Sequence, residues 1–367
     1  MYRRVAGVGL ALTMLVAGCG HSSSTSQGPA TSSTPVPSVA TSSTRAASAT
    51  SQAARDLPDP HTLRGLTEVP ELPDPKPVEG SSAQKLPVTV TDVEGNKVTI
   101  KSTSRILALD LYGTLSRTLI GLGLGDKIVG RTVSSTEKQL HDRPVVTENG
   151  HVLNVEAVAG LKPSVIIADR SVGPKEALDQ LRKSGIPVVL VDPHRSVGST
   201  PQLIRTIADA VGKPDAGEAL VKRTQEQIDQ AKKQIAAWKP AKPRRGAFRY
   251  VRGNAGVFFI LGSENGASEL IQGVGADDVA SDKGITTLVP ANAESLVSIN
   301  PDAIFVMRDG LASTGGMKGL LARAGVANTT AGRKQRVISI PDGISLSFGP
   351  QTGEVLTAVA KALYGVK

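Results

Sequence analysis

The sequence predicts an α/β protein built as two parallel-sheet lobes joined by one long helix. Three observations carry that reading. Short apolar runs alternate with amphipathic stretches over residues 105–192 and again beyond 245, the rhythm of strand–helix units around parallel sheets. A Gln- and Lys-rich stretch, 214–239, separates the two series and is free of Pro inside its boundaries. A segment of the first series then recurs in the second, 138 residues later.

At the N-terminus, Arg3 and Arg4 precede the apolar run Val5–Ala17, which leads into Gly18-Cys19. The run is well short of the roughly 20 residues of a spanning helix, so residues 1–19 read as a signal peptide. Cys19 is the only cysteine of the 367 residues, and the pattern resembles the lipobox of bacterial lipoproteins. That resemblance implies lipidation of Cys19, export, and anchoring at the outer face of a cytoplasmic membrane; an ordinary secretory signal with an incidental cysteine is the alternative. Residues 20–85 read as a tether. Between His21 and Pro60 there are 17 Ser or Thr, too polar a composition to offset chain entropy by burial. Pro58, Pro60, Pro70, Pro73, Pro75 and Pro77 make the next stretch extended. His61–Val69 is available to pack on the domain, and the folded unit is expected to start near Leu86.

The first lobe, 86–212, opens with a hairpin at Val88–Asp92 and Val98–Ile100, turning at Glu94–Lys97. Strands follow at Arg105–Asp110, Ile128–Arg131, Val165–Arg170 and Val188–Asp192, with helices around Leu115–Leu122, Val155–Leu161 and Lys175–Ser184. The linker, 213–242, carries a sparse stripe of Leu220, Ile228, Ile235 and Trp238; about 25 residues of helix span about 37 Å. The second lobe, 243–367, has strand-like runs at Gly246–Val251, Val257–Leu261, Ala303–Met307 and Val337–Ile340, with helices at Ala267–Gln272, Glu294–Val297 and Thr352–Tyr364. In the repeat, Asn154–Ile167 aligns without a gap on Asn292–Phe305. In each copy Asn caps a short helix and Pro introduces the next strand.

Composition narrows the function classes. One cysteine excludes an internal disulfide or thiolate cluster, and a single short apolar run excludes a multi-span transporter. Lys plus Arg is 42 against 33 Asp plus Glu, a net charge of +9, which suits an anionic partner. Nucleic acid fits poorly with export and ten aromatic residues. No Gly-x-Ser-x-Gly, Gly-x-x-x-x-Gly-Lys or His-Glu-x-x-His occurs, so nothing marks an enzyme.

Ligands of parallel sheets bind beyond the carboxyl ends of the strands. Arg131, Arg170, Arg252 and Arg308 fall there; singly each reads as a solvated loop residue, together they favour a cleft for an anion. Tyr250 and Arg252, two apart on one strand, share a face, and a guanidinium or metal ion beside a phenol favours its phenolate form. His151 follows the turn signal Asn149-Gly150.

These residues resemble the haemin-binding lipoproteins of bacterial ABC haem importers, within the wider class that captures cobalamin and ferric siderophores. The markers are Leu124–Arg131, Asn149–Asn154, Tyr250–Gly253 and the two Asn-x-Glu repeats. The resemblance implies the class III periplasmic-binding-protein fold and no catalysis. It implies ferric haem as the transported ligand, with His151 and Tyr250 as axial ligands, Arg252 beside the tyrosine and Met307 in the pocket. The strand-end arginines would pair with the propionates. Glu156 and Glu294 would dock on the permease dimer, which works with its ATPase, and the permease would release haem by separating lobes that otherwise move modestly. A ferric-siderophore or cobalamin binder of the same class is the alternative.

Overall fold

The computed structural model describes residues 57–79, 84–253 and 256–367; Cys19 and the signal segment lie outside them. Among the described residues no helix is long and apolar enough to cross a membrane.

Among the described residues, regular structure is present well before Leu86. β1 (Leu66–Glu68) is followed by the hairpin strands β2 (Val88–Thr91) and β3 (Lys97–Ile100). The first lobe then holds β4 (Ile106–Leu109), β5 (Ile128–Gly130), the two-residue strands β6 (Thr147–Glu148) and β7 (Val152–Leu153), β8 (Val165–Ala168) and β9 (Val188–Leu190). Its main sheet runs β5-β4-β8-β9 and is parallel throughout. Both faces are covered, as parallel sheets require. Ile106, Ala108, Val165 and Ile167 pack with helices Thr114–Gly121 and Thr200–Ala210. Leu107, Leu109, Ile166 and Ala168 pack with helix Lys175–Lys183 on the other face.

The second lobe holds β10 (Arg245–Arg252), β11 (Val257–Ile260), β12 (Asp277–Asp278), β13 (Val289–Pro290), β14 (Ala303–Met307) and β15 (Val337–Ile340). Its sheet is ordered β1-β15-β14-β10-β11-β13, with β12 also on β10. It is mixed rather than parallel: β11 runs antiparallel to β10 and β13 antiparallel to β11. A six-residue spacing between apolar runs admits a hairpin but no crossover helix, and that spacing separates Val251 from Val257.

The helix Pro214–Trp238 joins the lobes. Ala216, Leu220 and Val221 are in the first-lobe core, Ala231 and Ile235 in the second. The last helix, Thr352–Tyr364, crosses it closely at Gly353, where an added Cβ would lie 2.5 Å from the Gln227 carbonyl oxygen.

The expected tether, 20–85, is corrected at its C-terminal end. β1 extends the second-lobe sheet along β15, Val69 is fully buried in that lobe, and Val78 packs in the first-lobe core. Between them the Asp74 carboxylate accepts from the Lys138 and Gln139 N–H groups at 2.8 and 3.0 Å. The prolines make this stretch extended, and its few apolar side chains find slots on both lobes, so it is a strap and not a spacer. The lobes also touch directly. The Arg117 guanidinium, paired with Glu137 at 3.2 Å, donates to the Gly343 carbonyl at 3.2 Å and to Gln351 Oε1 at 2.7 Å.

Both copies of the repeat fold alike. Asn154 caps helix Val155–Gly160 by accepting from the Ala157 N–H, and Asn292 caps helix Ala293–Ile299 by accepting from the Ser295 N–H. The strands that follow, β8 and β14, lie parallel to β4 and β10 respectively.

Candidate functional site

A cleft of about 620 Å³ lies between the lobes at the carboxyl ends of the strands. Leu111 and Tyr112 follow β4, Val133 and Ser134 follow β5, and Gly150 reaches it from the β6–β7 turn. The second lobe supplies Tyr250 and Arg252 from the end of β10, Met307 from the end of β14 and Asp342 just beyond β15. Leu261, Leu288 and Leu346 complete a mostly aliphatic wall. A separate hollow of about 510 Å³ lies between the strap and the last helix; it holds none of the predicted site residues.

Tyr250 and Arg252 share a face as the period of two requires, and both are half-buried. The guanidinium carbon stands 5.1 Å from the Tyr250 ring centroid, within cation–π reach. Arg252 Nη2 donates to Asp342 Oδ2 at 2.5 Å and lies 3.5 Å from Met307 Sδ. Burial pushes the Asp342 carboxyl above its usual range, while the Asp309 N–H and the Arg252 charge pull the other way.

His151 sits at the tip of the β6–β7 hairpin, exposed, next to cleft-lining Gly150. The turn needs left-handed backbone at Asn149 (φ 49°) and Gly150 (φ 90°), a conformation open to Asn and Gly. The His151 backbone carbonyl accepts from the Gly173 N–H at 2.9 Å, which ties the turn to the first lobe.

Of the four strand-end arginines only Arg252 lines the cleft; Arg131, Arg170 and Arg308 are bonded to neighbouring parts of the fold. Arg170 forms a two-pronged ion pair with Glu94 at 2.8 Å on each prong and a second with Asp179 at 3.0 Å. Arg308 pairs with Glu71 at 2.7 Å and with the Val69 carbonyl, pinning the strap. The Arg131 guanidinium is turned to the Ser135 carbonyl at 3.4 Å. A strand end in a small lobe is also where loops need fastening, and a five-donor side chain does that equally well. Glu156 and Glu294 are exposed on the first turns of the two repeated helices.

Tyr112, three residues beyond β4, and Asp342, two beyond β15, also line the cleft; strand-end position pointed to them as much as to the arginines. Tyr112 packs under Arg195, whose guanidinium carbon is 5.5 Å from the ring centroid. Arg195 in turn bonds Asp169 and lies 3.7 Å from Asp110, both carboxylates being fully buried. Burial, then the Asp169 charge, pushes Asp110 up to about 7. The same two causes raise the Tyr112 phenol.

A family model described as periplasmic binding protein matches residues 111–343. The solved structure of a heme binding protein, HmuT, is 49% identical, covers 84% of this chain and all of its own, and superposes with a TM-score of 0.83. Its variants with a histidine, a tyrosine or an arginine replaced by alanine superpose with the same TM-score of 0.83 at 48, 47 and 46% identity; the tyrosine follows the histidine by 99 residues and the arginine follows the tyrosine by two. An uncharacterized ABC transporter substrate-binding lipoprotein of Bacillus subtilis, YvrC, is 27% identical over 76% of this chain and 86% of its own. A cobalamin-binding protein of Halobacterium salinarum is 24% identical over 80% and 78%.

Proposed function

The chain belongs to the periplasmic binding protein family, and we propose that it carries ferric haem held between His151 of one lobe and Tyr250 of the other. It is the extracytoplasmic haem-binding component of an ABC-type haem importer, a solute carrier and not an enzyme.

The observation that carries the axial assignment is the Tyr250–Arg252 pair in a cleft that Gly150, the chain neighbour of His151, also lines. The spacing supports it: Tyr250 lies 99 residues after His151 and Arg252 two further, the intervals found in the HmuT variants. Chemically, an anionic oxygen donor favours Fe(III) over Fe(II), so a tyrosinate-bound haem is held oxidised and away from oxygen chemistry. One ligand from each lobe makes iron coordination itself a bridge across the cleft. The aliphatic walls suit the macrocycle, and Ser134, Thr136, Asn265 and Ser313 are the neutral polar groups left for the propionates. Arg252, already held by Asp342, acts on the tyrosine.

Glu156 and Glu294, exposed at equivalent places in the two repeats, would meet basic groups on the two subunits of the permease, a duplicated carboxylate facing a two-fold receptor. Cys19 would carry the lipid that keeps the carrier at the outer face of the membrane.

Haemin titration of the purified protein tests the reading. A saturable Soret band that shifts or weakens in His151→Ala and in Tyr250→Ala is expected; an unchanged spectrum in both variants overturns the axial assignment. Cobalamin is the second reading, favoured by the Halobacterium relative. Tight binding of cobalamin with no saturable, protein-dependent change in the Soret band on haemin addition would select it.

A further inference from the structure

The Arg252 guanidinium is placed by more than its own strand. Asp342 Oδ2 accepts from Nη2 at 2.5 Å, and the other carboxylate oxygen, Oδ1, accepts from the Asp309 N–H at 2.9 Å, so both oxygens are fixed. The Asp342 side chain is only 17% exposed, so water competes weakly for the ion pair. On the opposite side, Gly310 leaves room. An added Cβ there would press on Arg252 Nη1 and come within 2.5 Å of the Val251 carbonyl oxygen, closer than real Cβ atoms approach. Gly310 lies inside helix Arg308–Ser313 with ordinary helical backbone, so space and not conformation is what it provides. The segment bearing Asp342 is itself fastened to the first lobe, because Arg117 donates to the neighbouring Gly343 carbonyl at 3.2 Å.

We propose that Asp342 and Gly310 form the seat that holds Arg252 against the Tyr250 ring, which makes Asp342 a positioning residue for iron ligation. The inference rests on the haem reading above and deepens it: Arg252 is a fixed electrostatic partner of the tyrosine and not a free propionate clamp. A free arginine on a strand would sweep several rotamers, and its contact with the tyrosine ring would be intermittent. Clamped between a carboxylate and a glycine-made hollow, it presents one orientation to the ring.

The test uses the full chain loaded with haemin. Asp342→Ala and Gly310→Ala should each move the ferric absorption spectrum toward that of Arg252→Ala. Each should also speed haem loss to apomyoglobin about tenfold, the scale of one charge-assisted hydrogen bond. Combined with Arg252→Ala, neither should add to it, since residues acting through one partner are non-additive. A purely structural role for Asp342 would lower the melting temperature and leave the spectrum alone. Should Asp342→Ala fold poorly, Asp342→Asn and Gly310→Ala carry the same expectations. A wild-type spectrum and loss rate in the folded variants, or effects that add to those of Arg252→Ala, overturn the positioning role while leaving haem binding intact. Absence of a Soret band from the wild-type chain overturns both.

Discussion

The two lobes are built from the same repeat, yet they hold their halves of the site in opposite ways. The second lobe presents Tyr250 from an eight-residue strand paired on both sides, with Arg252, Met307 and Asp342 packed behind it. The first lobe presents His151 from the tip of a hairpin of two-residue strands, with the ring exposed. On the proposed assignment, Tyr250 would be set in place before cargo arrives, and His151 would have rotamer freedom to lose on binding. The difference teaches that a packed strand end and an exposed hairpin tip fix a side chain to different degrees, so under the proposed assignment the two ligands would differ in how much freedom binding removes.

The largest expected effect separates the two halves directly. Tyr250→Ala should weaken ferric haem binding about 100-fold and His151→Ala about tenfold, measured by competition against a haem-binding protein of known affinity. Equal losses, or the reverse order, would break the comparison.

Next come two of the buried ionisable groups, one from each lobe. Arg249, on the strand face opposite Tyr250, is fully buried, and its Nε and Nη2 have no hydrogen-bond partner among the described residues. Burial pulls it down to about 9. Its folded value lies below the ordinary one, so the cost is fully present at every pH below about 9. Arg249→Met should therefore stabilise the protein by about 2 kcal/mol, unchanged between pH 5 and 8, in denaturant unfolding.

Asp110 in the first lobe should behave differently. Its folded value, about 7, lies above that of a free carboxyl near 3.8. The folded state thus holds the proton more tightly, and the penalty for ionising it is absent below about 4 and complete above about 7. Asp110→Asn should gain on the order of 1 kcal/mol at pH 8 and nothing at pH 4. A gain that does not depend on pH would show that Asp110 stays charged.

The smallest effect sharpens the account of the hairpin. Gly150→Ala meets no atom within 4 Å but must hold a φ of 90°. It should weaken haem binding about threefold through turn strain alone, with Tyr250-dependent spectral features retained. No loss of affinity would mean that the His151 turn is not a determinant.

Much of this was legible in the chain. Alternating apolar runs located β4, β5, β8 and β9, and the linker helix was read to within a residue of Pro214–Trp238, because burial on one stripe or face leaves a period in the sequence. Tyr250 and Arg252 were paired by the strand period alone. Helix Thr200–Ala210 was missed, and so was the antiparallel turn at β11, since short apolar runs do not declare their partner's direction. The packing of His61–Val69 was anticipated and β1 and Val69 bear it out, but the strap beyond it was read as a spacer, because a lone Val78 forms no periodic signal and yet fills a slot in the first-lobe core. The arginines show the same limit. Position at a strand end predicts reach toward the cleft, but Glu94, Asp179 and Glu71 capture Arg170 and Arg308 first.

By itself, then, the sequence determined the local and periodic features: two α/β lobes, a bridging helix, a duplicated Asn-capped turn, and a tyrosine and arginine on one strand face. The tertiary structure decided which charges are free. Asp342 meets Arg252 across 90 residues of chain, and Arg308 meets Glu71 across 237. Ion pairing depends on a few ångströms in space, which sequence separation does not encode.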